Sequence, residues 1–243
     1  MQKPDNATTI IVLVPCYQEA ANIGRVAGES VRLGFNTVVI DDGSTDDTAD
    51  IARATHATVL RQEKNQGKGA AVAIGLRYAL SQGCDAAVVL DGDGQHLPAE
   101  IKCFIDAFRA THADFIVGTR MSKTANMPFF RRQTNRFMSW LLSRHMGHRI
   151  SDTQCGFRLI ARRAIPDALQ CLSAGFSAES EVLLQLAMRG YSITEIPIST
   201  IYGDETSKIQ PIRDTLRFVQ MLIKFRRQRR DWTRGGKPCA IQR

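Results

Sequence analysis

Nowhere in this chain is there a run of apolar residues close to the roughly 20 needed to cross a bilayer as a helix. Residues 1–9 are polar, and Ile10 to Val14 is too short to be the core of a secretory signal. The six cysteines, at 16, 84, 103, 155, 171 and 239, include no C-x-x-C pair, so zinc-ribbon and thioredoxin-like chemistry are excluded. Cys84 and Cys103 fall in or beside apolar stretches, where a thiol acts as a small hydrophobe, and a reducing compartment follows. A Walker A loop is missing too. Asn65-Gln66-Gly67-Lys68-Gly69 has the lysine, but Gln62 stands where that motif needs glycine and Gly69 where it needs Ser or Thr. There is no internal repeat, no low-complexity linker and no nucleic-acid-binding signature, so no nucleic-acid partner is expected. The expected location is the cytoplasm, with peripheral contact at the inner face of a membrane as the one extension of it.

What is present is ordinary globular composition over 243 residues, 44% hydrophobic and 23% charged, enough for one sizeable domain. A net charge of +8 suits anionic partners such as nucleotides or phospholipids without choosing among them. The first half alternates short β-rich runs with helix-like stretches. The runs are Ile10 to Val14, Thr37 to Ile40, Thr58 to Leu60, Ala86 to Leu90 and Phe115 to Val117. Ala20 to Leu33 and Lys68 to Leu80 read as helices between them. Apolar strands separated by helices imply an α/β fold with a mostly parallel sheet covered on both faces. In the second half, Phe130 to Met146 and Ala178 to Met188 read as helices and Ser192 to Ile198 as a strand. Residues 8–208 read as one domain, and 209–243 as a C-terminal amphipathic helix with a basic tail.

All but the weak third strand run into a polar, glycine- or proline-marked loop. Open α/β sheets bind ligands beyond the carboxyl ends of their strands, so these loops should share one site. Asp91-Gly92-Asp93-Gly94-Gln95-His96 is the sharpest of them: two carboxylates one residue apart can reach one Mg²⁺ or Mn²⁺ ion. Asp41-Asp42-Gly43-Ser44-Thr45-Asp46 offers Asp42 to a ribose hydroxyl or a base N–H, and Thr45 or Asp46 as a helix cap. In Pro15-Cys16-Tyr17-Gln18-Glu19, Tyr17 can stack on a base and Glu19 can accept from the nucleoside. The Gly67-Lys68-Gly69 stretch opens a helix and suits phosphate.

Taken in order, these segments resemble glycosyltransferase family 2, with the GT-A fold, and within it the dolichyl-phosphate mannosyltransferase-like branch. Gly118-Thr119-Arg120, Asp152 to Arg158 around Gly156, and Ile196-Pro197-Ile198 followed by Tyr202 and Ser207-Lys208 carry the resemblance to Phe218. It implies that Pro15, Tyr17, Glu19 and Asp42 hold the nucleoside of a nucleotide-sugar donor. Asp91, Asp93 and Gln95 would hold Mg²⁺ or Mn²⁺ and the diphosphate, and Lys208 the donor phosphates. Arg120 and Arg158 would meet anionic groups of donor or acceptor, since the guanidinium fork matches phosphate oxygens.

The implied reaction is inverting displacement of a UDP- or GDP-sugar of mannose or glucose type. An acceptor polyprenyl phosphate is already ionised. A saccharide hydroxyl would need a carboxylate base, for which Glu181, Glu179 and Asp152 are the candidates. One departure stands out: Ser199 to Gly203 lacks the arginine that precedes the S-K pair in eukaryotic-type enzymes, which leaves donor sugar and acceptor open. A sugar-phosphate nucleotidyltransferase is the rival, but such enzymes open with a glycine-rich loop where this chain has Pro15 to Glu19. Finally, an apolar stripe of Ile212, Leu216, Val219, Leu222 and Ile223 runs into Lys224 to Trp232. Such a basic helix either lies on an anionic membrane or packs on the domain.

Overall fold

A computed structural model describes residues 8–120, 129–146, 149–172 and 178–201. The C-terminal segment 209–243, and with it the expected amphipathic helix, lies outside the described residues, as do Tyr202 and Lys208. Seven strands form one sheet in the order β3-β2-β1-β4-β6-β5-β7. They are β1 (Ile10–Cys16), β2 (Asn36–Asp41), β3 (Thr58–Arg61), β4 (Ala86–Val89), β5 (Phe115–Thr119), β6 (Arg158–Ala161) and β7 (Ile193–Pro197). The helices are α1 (Ile23–Arg32), α2 (Thr48–Ala54), α3 (Lys68–Ser81), α4 (Ile101–Thr111), α5 (Phe129–Met146), α6 (Ile165–Leu169) and α7 (Ala178–Met188).

Continuous apolar runs become central strands because both their faces must be covered. Ile11 to Val14 on β1 and Ala86 to Val88 on β4 are fully buried between the helices. The parallel ladder β3-β2-β1-β4 leaves β1 and β4 as neighbours from which the chain goes on toward opposite edges of the sheet. That is the topological switch point, and it sets the loops after Cys16 and Val89 side by side.

Two local outcomes differ from the sequence expectation. First, β1 runs through Pro15 to Cys16 instead of stopping before the proline. The Pro15 carbonyl faces β4 and accepts from the Gly92 N–H at 3.3 Å. Its missing N–H would face the same way, where β4 has already ended at Val89, so no ladder bond is lost. Second, the segment around Gly156 feeds a four-residue strand, β6, that runs antiparallel to both β4 and β5. It carries residues from the second half of the chain into the middle of the sheet.

Candidate active site

The loop after β4 is pressed onto β1. A Cβ at Gly92 would lie 2.8 Å from the Cys16 Cβ, so only glycine lets the two loops meet this closely. Asp93 Oδ1 accepts the Gln95 N–H at 3.0 Å, closing the turn, and the Gln95 carbonyl accepts the Ile201 N–H at 2.9 Å. The chain therefore leaves for Tyr202 and Lys208 from a point tied to the Asp91–Asp93 loop.

Asp91 has a close neighbour at each oxygen. Lys68 Nζ lies 2.7 Å from Oδ1 and, with its other side, 2.6 Å from Glu179 Oε1. Oδ2 rests against Gly156, where an added Cβ would sit 2.7 Å from Asp91 Cγ and overlap the carboxylate. Burial works against the charged form of Asp91, but Lys68, with Arg158 beyond it, outweighs it and holds the carboxyl below the usual range. Burial also opposes the Lys68 ammonium, and Asp91 and Glu179 overcome it, so that its pKa is raised. Asp93 is shifted the other way: burial first, and the charge of Asp91 second, push it up to about 6.

These residues fit a divalent cation. Two carboxylates that repel each other enough to raise one of them are relieved by a cation between them. Among the described residues no group of three or more His, Cys, Asp or Glu side chains is arranged to hold a metal ion. Such an ion would thus draw its remaining ligands from phosphate oxygens and water, as Mg²⁺ usually does.

A pH prediction follows from Asp93. Its raised folded-state pKa favours the metal-free protein at low pH, an advantage lost as the pH rises through 6. The cation takes only the ionised form. Stabilisation by Mn²⁺ should therefore be full at about pH 7.5 and shrink as pH falls through 6 toward about 5. Melting curves with and without Mn²⁺ measure it; an equal shift at both ends would mean that Asp93 is not a ligand.

On the nucleoside side, Tyr17 is exposed, at 38%, and open to stacking on a base. Half-buried Glu19 takes the Asn22 amide at 3.1 Å through Oε2 and starts α1 with its carbonyl. Asp42 departs from expectation. It is buried, and its carboxylate accepts from Gln62 Nε2 at 2.6 Å, from the Gln66 N–H at 2.8 Å and from the Gly67 N–H at 2.7 Å. It shapes the loop that delivers Lys68 and has little acceptor capacity left for a ribose or base.

The two arginines are also placed differently from the phosphate clamps expected. Arg120 is buried and forks onto Asp152, with Nε and Nη2 at 2.6 and 2.9 Å from the two oxygens. Asp152 is thereby spent as an ion-pair partner and is not free to be a base. Arg158 is buried and donates to the carbonyls of Cys155 (2.6 Å), Thr153 (2.9 Å) and Glu179. Both guanidinia brace the 152–158 loop against Asp91 and α7. Of the α7 carboxylates, Glu179 is the one at Lys68. Glu181 lies two residues on, about 200° around the helix axis from Glu179.

Three residues have roles that the sequence does not disclose. Gly156 is legible only as the small residue of a motif, not as the floor under Asp91. Glu179, a candidate base by sequence, is the partner of Lys68. His96 is buried against Phe157, with ring centroids 5.4 Å apart, and burial lowers its pKa to about 4, so that it is neutral and packs the loop.

The chain is similar to known proteins along most of its length. The model of glycosyl transferase family 2 matches residues 11–168. A dolichyl-phosphate hexose transferase of Haloferax volcanii is 32% identical over 218 residues, covering 88% of this chain and 92% of the relative. A UDP-N-acetylglucosamine–dolichyl-phosphate N-acetylglucosaminyltransferase of Methanococcus voltae is 28% identical over 217 residues, 80% of this chain and 86% of the relative. Among solved structures, glucosyl-3-phosphoglycerate synthase from Mycobacterium tuberculosis, in complex with Mn²⁺, uridine diphosphate and phosphoglyceric acid, superposes with a TM-score of 0.65. It is 19% identical, over 82% of this chain and 72% of that one, a likeness of fold. With a switch-point crevice, an aspartate pair on its central loop and a family match over most of its length, the chain belongs to glycosyl transferase family 2.

Proposed function

We propose that this glycosyltransferase moves a sugar from a nucleoside-diphosphate donor to a polyprenyl phosphate, with inversion at the anomeric carbon. The observation that carries the reading is the Asp91–Asp93 pair in the switch-point crevice, flanked by Lys68 and by the exposed ring of Tyr17. Tyr17 stacks on the base and Glu19 accepts from the nucleoside. Asp91 and Asp93, with Gln95, would hold a divalent cation, which when bound neutralises charge on the departing diphosphate. Lys68 adds positive charge at the same place, and Lys208, by the family motif, is the second cation we assign to the donor phosphates.

The acceptor is argued from two sides. Relatives covered along most of their length carry names that state transfer to dolichyl phosphate. Asp152 is committed to Arg120 and Glu179 to Lys68, so two of the three candidate bases for a neutral hydroxyl are already engaged. An ionised phosphate needs none. Arg120 and Arg158 act here by bracing the loop under Asp91.

The test is transfer of labelled sugar from UDP- and GDP-sugars, with Mn²⁺ or with chelator, to polyprenyl phosphates and to saccharides. A metal-dependent lipid-phosphate sugar supports the reading. Transfer to hydroxyl acceptors alone would end it, and synthesis of a nucleotide-sugar from sugar phosphate would favour the nucleotidyltransferase instead.

A lipid acceptor asks for a way onto the membrane. No helix among the described residues is long and apolar enough to span one. The basic amphipathic segment 211–230 is our candidate for peripheral contact at the cytoplasmic face. Truncation after Ile223 should remove most binding to vesicles containing anionic lipid in a sedimentation assay. Undiminished binding would assign the contact elsewhere.

A further inference from the structure

Among the described residues, Lys68 is the cation in direct contact with the aspartate pair, and its two contacts give it an unusual position. It holds Asp91 Oδ1, the enclosed oxygen, at 2.7 Å, while Asp91 Oδ2 lies against Gly156. A divalent ion that draws on Oδ1 meets an oxygen already held by an ammonium, and one seated on Oδ2 stands close enough to repel that ammonium. The second contact, Glu179 Oε1 at 2.6 Å, comes from a different element, α7. If Lys68 gives up Asp91 it keeps Glu179, so its charge is not stranded. Its side chain is 40% exposed and ends a flexible four-carbon stem, which allows the shift. Lys68 is also the first residue of α3, where free N–H groups favour an arriving phosphate.

We infer that Lys68 is a resident counter-cation that a divalent metal displaces from Asp91, the released ammonium turning to the diphosphate that arrives with the metal while Glu179 retains its other side. This rests on the glycosyltransferase reading above and adds an order of events to it. Metal alone must compete with Lys68 and binds weakly. Metal with nucleoside diphosphate binds tightly, because the phosphate rewards the displaced lysine. The two ligands are thereby coupled, and the coupling is reciprocal.

Mn²⁺ affinity, read from the electron paramagnetic resonance signal of the free ion with and without UDP or GDP, tests this without turnover. In the wild type, nucleoside diphosphate should tighten Mn²⁺. Lys68→Met should bind Mn²⁺ alone about tenfold more tightly than wild type and lose most of the gain from nucleotide. Lys68→Arg, which keeps the charge, should stay weak. Glu179→Gln should weaken Mn²⁺ alone, since Lys68 then has only Asp91 to hold.

The double variant Lys68→Met/Glu179→Gln separates displacement from simple charge. If Lys68 mediates, the effect of Glu179→Gln vanishes once Lys68→Met is present; if it persists in full there, the inference is overturned. Equal or weaker Mn²⁺ binding by a folded Lys68→Met protein also overturns it. A wild type that binds Mn²⁺ with neither nucleotide would count against the glycosyltransferase reading itself. Coupled binding in the wild type that Lys68→Met leaves unchanged would count against the lysine alone.

Discussion

Alanine in place of Gly156 should lower kcat/KM for sugar transfer by about a hundredfold or more while leaving the melting temperature nearly unchanged. The reason is placement. The new methyl would stand 2.7 Å from Asp91 Cγ, and Asp91 cannot yield without leaving both Lys68 and the position from which it reaches a cation. A displacement of about 1 Å in such a group is worth about two orders of magnitude in rate. Gly156 is not in the left-handed region, so alanine there is not strained by its backbone. That separates the effect from folding, which a direct Asp93→Ala change, expected to cost at least as much activity, does less cleanly. Steady-state kinetics beside a thermal melt decide it. Activity within twofold of wild type would mean that Asp91 moves aside at no cost and is not a precisely held ligand.

Asp152→Ala should destabilise the protein by about 3–5 kcal/mol, measured by urea denaturation. Asp152 and Arg120 form a two-pronged pair with both side chains buried. Burial opposes the Asp152 charge, and the Arg120 hydrogen bonds reverse this, so its pKa is lowered. A depressed carboxyl contributes stability at neutral pH that is lost only in acid, as pH falls below the ordinary aspartate range. Removing it leaves a guanidinium without its carboxylate in a dry place. Replacing both partners by apolar residues of similar size, Arg120→Met with Asp152→Leu, should recover much of the loss, since a buried pair gains little over good packing. A cost below about 1 kcal/mol for Asp152→Ala would point the other way, to a pair held in reserve for a ligand, and would return Arg120 to the acceptor clamp that its motif suggested.

The contrast between Arg120 and Asp93 shows where sequence reading succeeds. Asp91 and Asp93 follow a buried apolar run and alternate with glycines, and a strand of that kind in a parallel sheet must deliver its next residues to the crevice. The residue type, the strand before it and the turn residues beside it all agree. Tyr17 at the end of β1 is legible for the same reason. Arg120 also follows a strand, but its motif records only that an arginine is required. An arginine facing a phosphate and one facing a buried aspartate make the same demand on the sequence, and here the buried partner sits 32 positions away. Asp42 shows the same ambiguity on the donor side: its carboxylate is used, but by backbone N–H groups of the loop it shapes.

By itself, then, the sequence determined the alternating strands and helices, the crevice at their carboxyl ends, the aspartate pair in it and the family. These are local or periodic properties, set by burial on both faces of a strand and by the turn chemistry that ends it. Only the tertiary structure decided that β6 enters antiparallel between β4 and β5, setting Gly156 under Asp91. It also decided that Glu179 rather than Glu181 meets Lys68, and that two arginines brace a loop instead of awaiting a phosphate. A four-residue strand has too little periodicity to announce itself. Which of two neighbouring carboxylates finds a partner depends on how a helix is rotated against a sheet, and contacts between residues far apart in the chain fix that rotation.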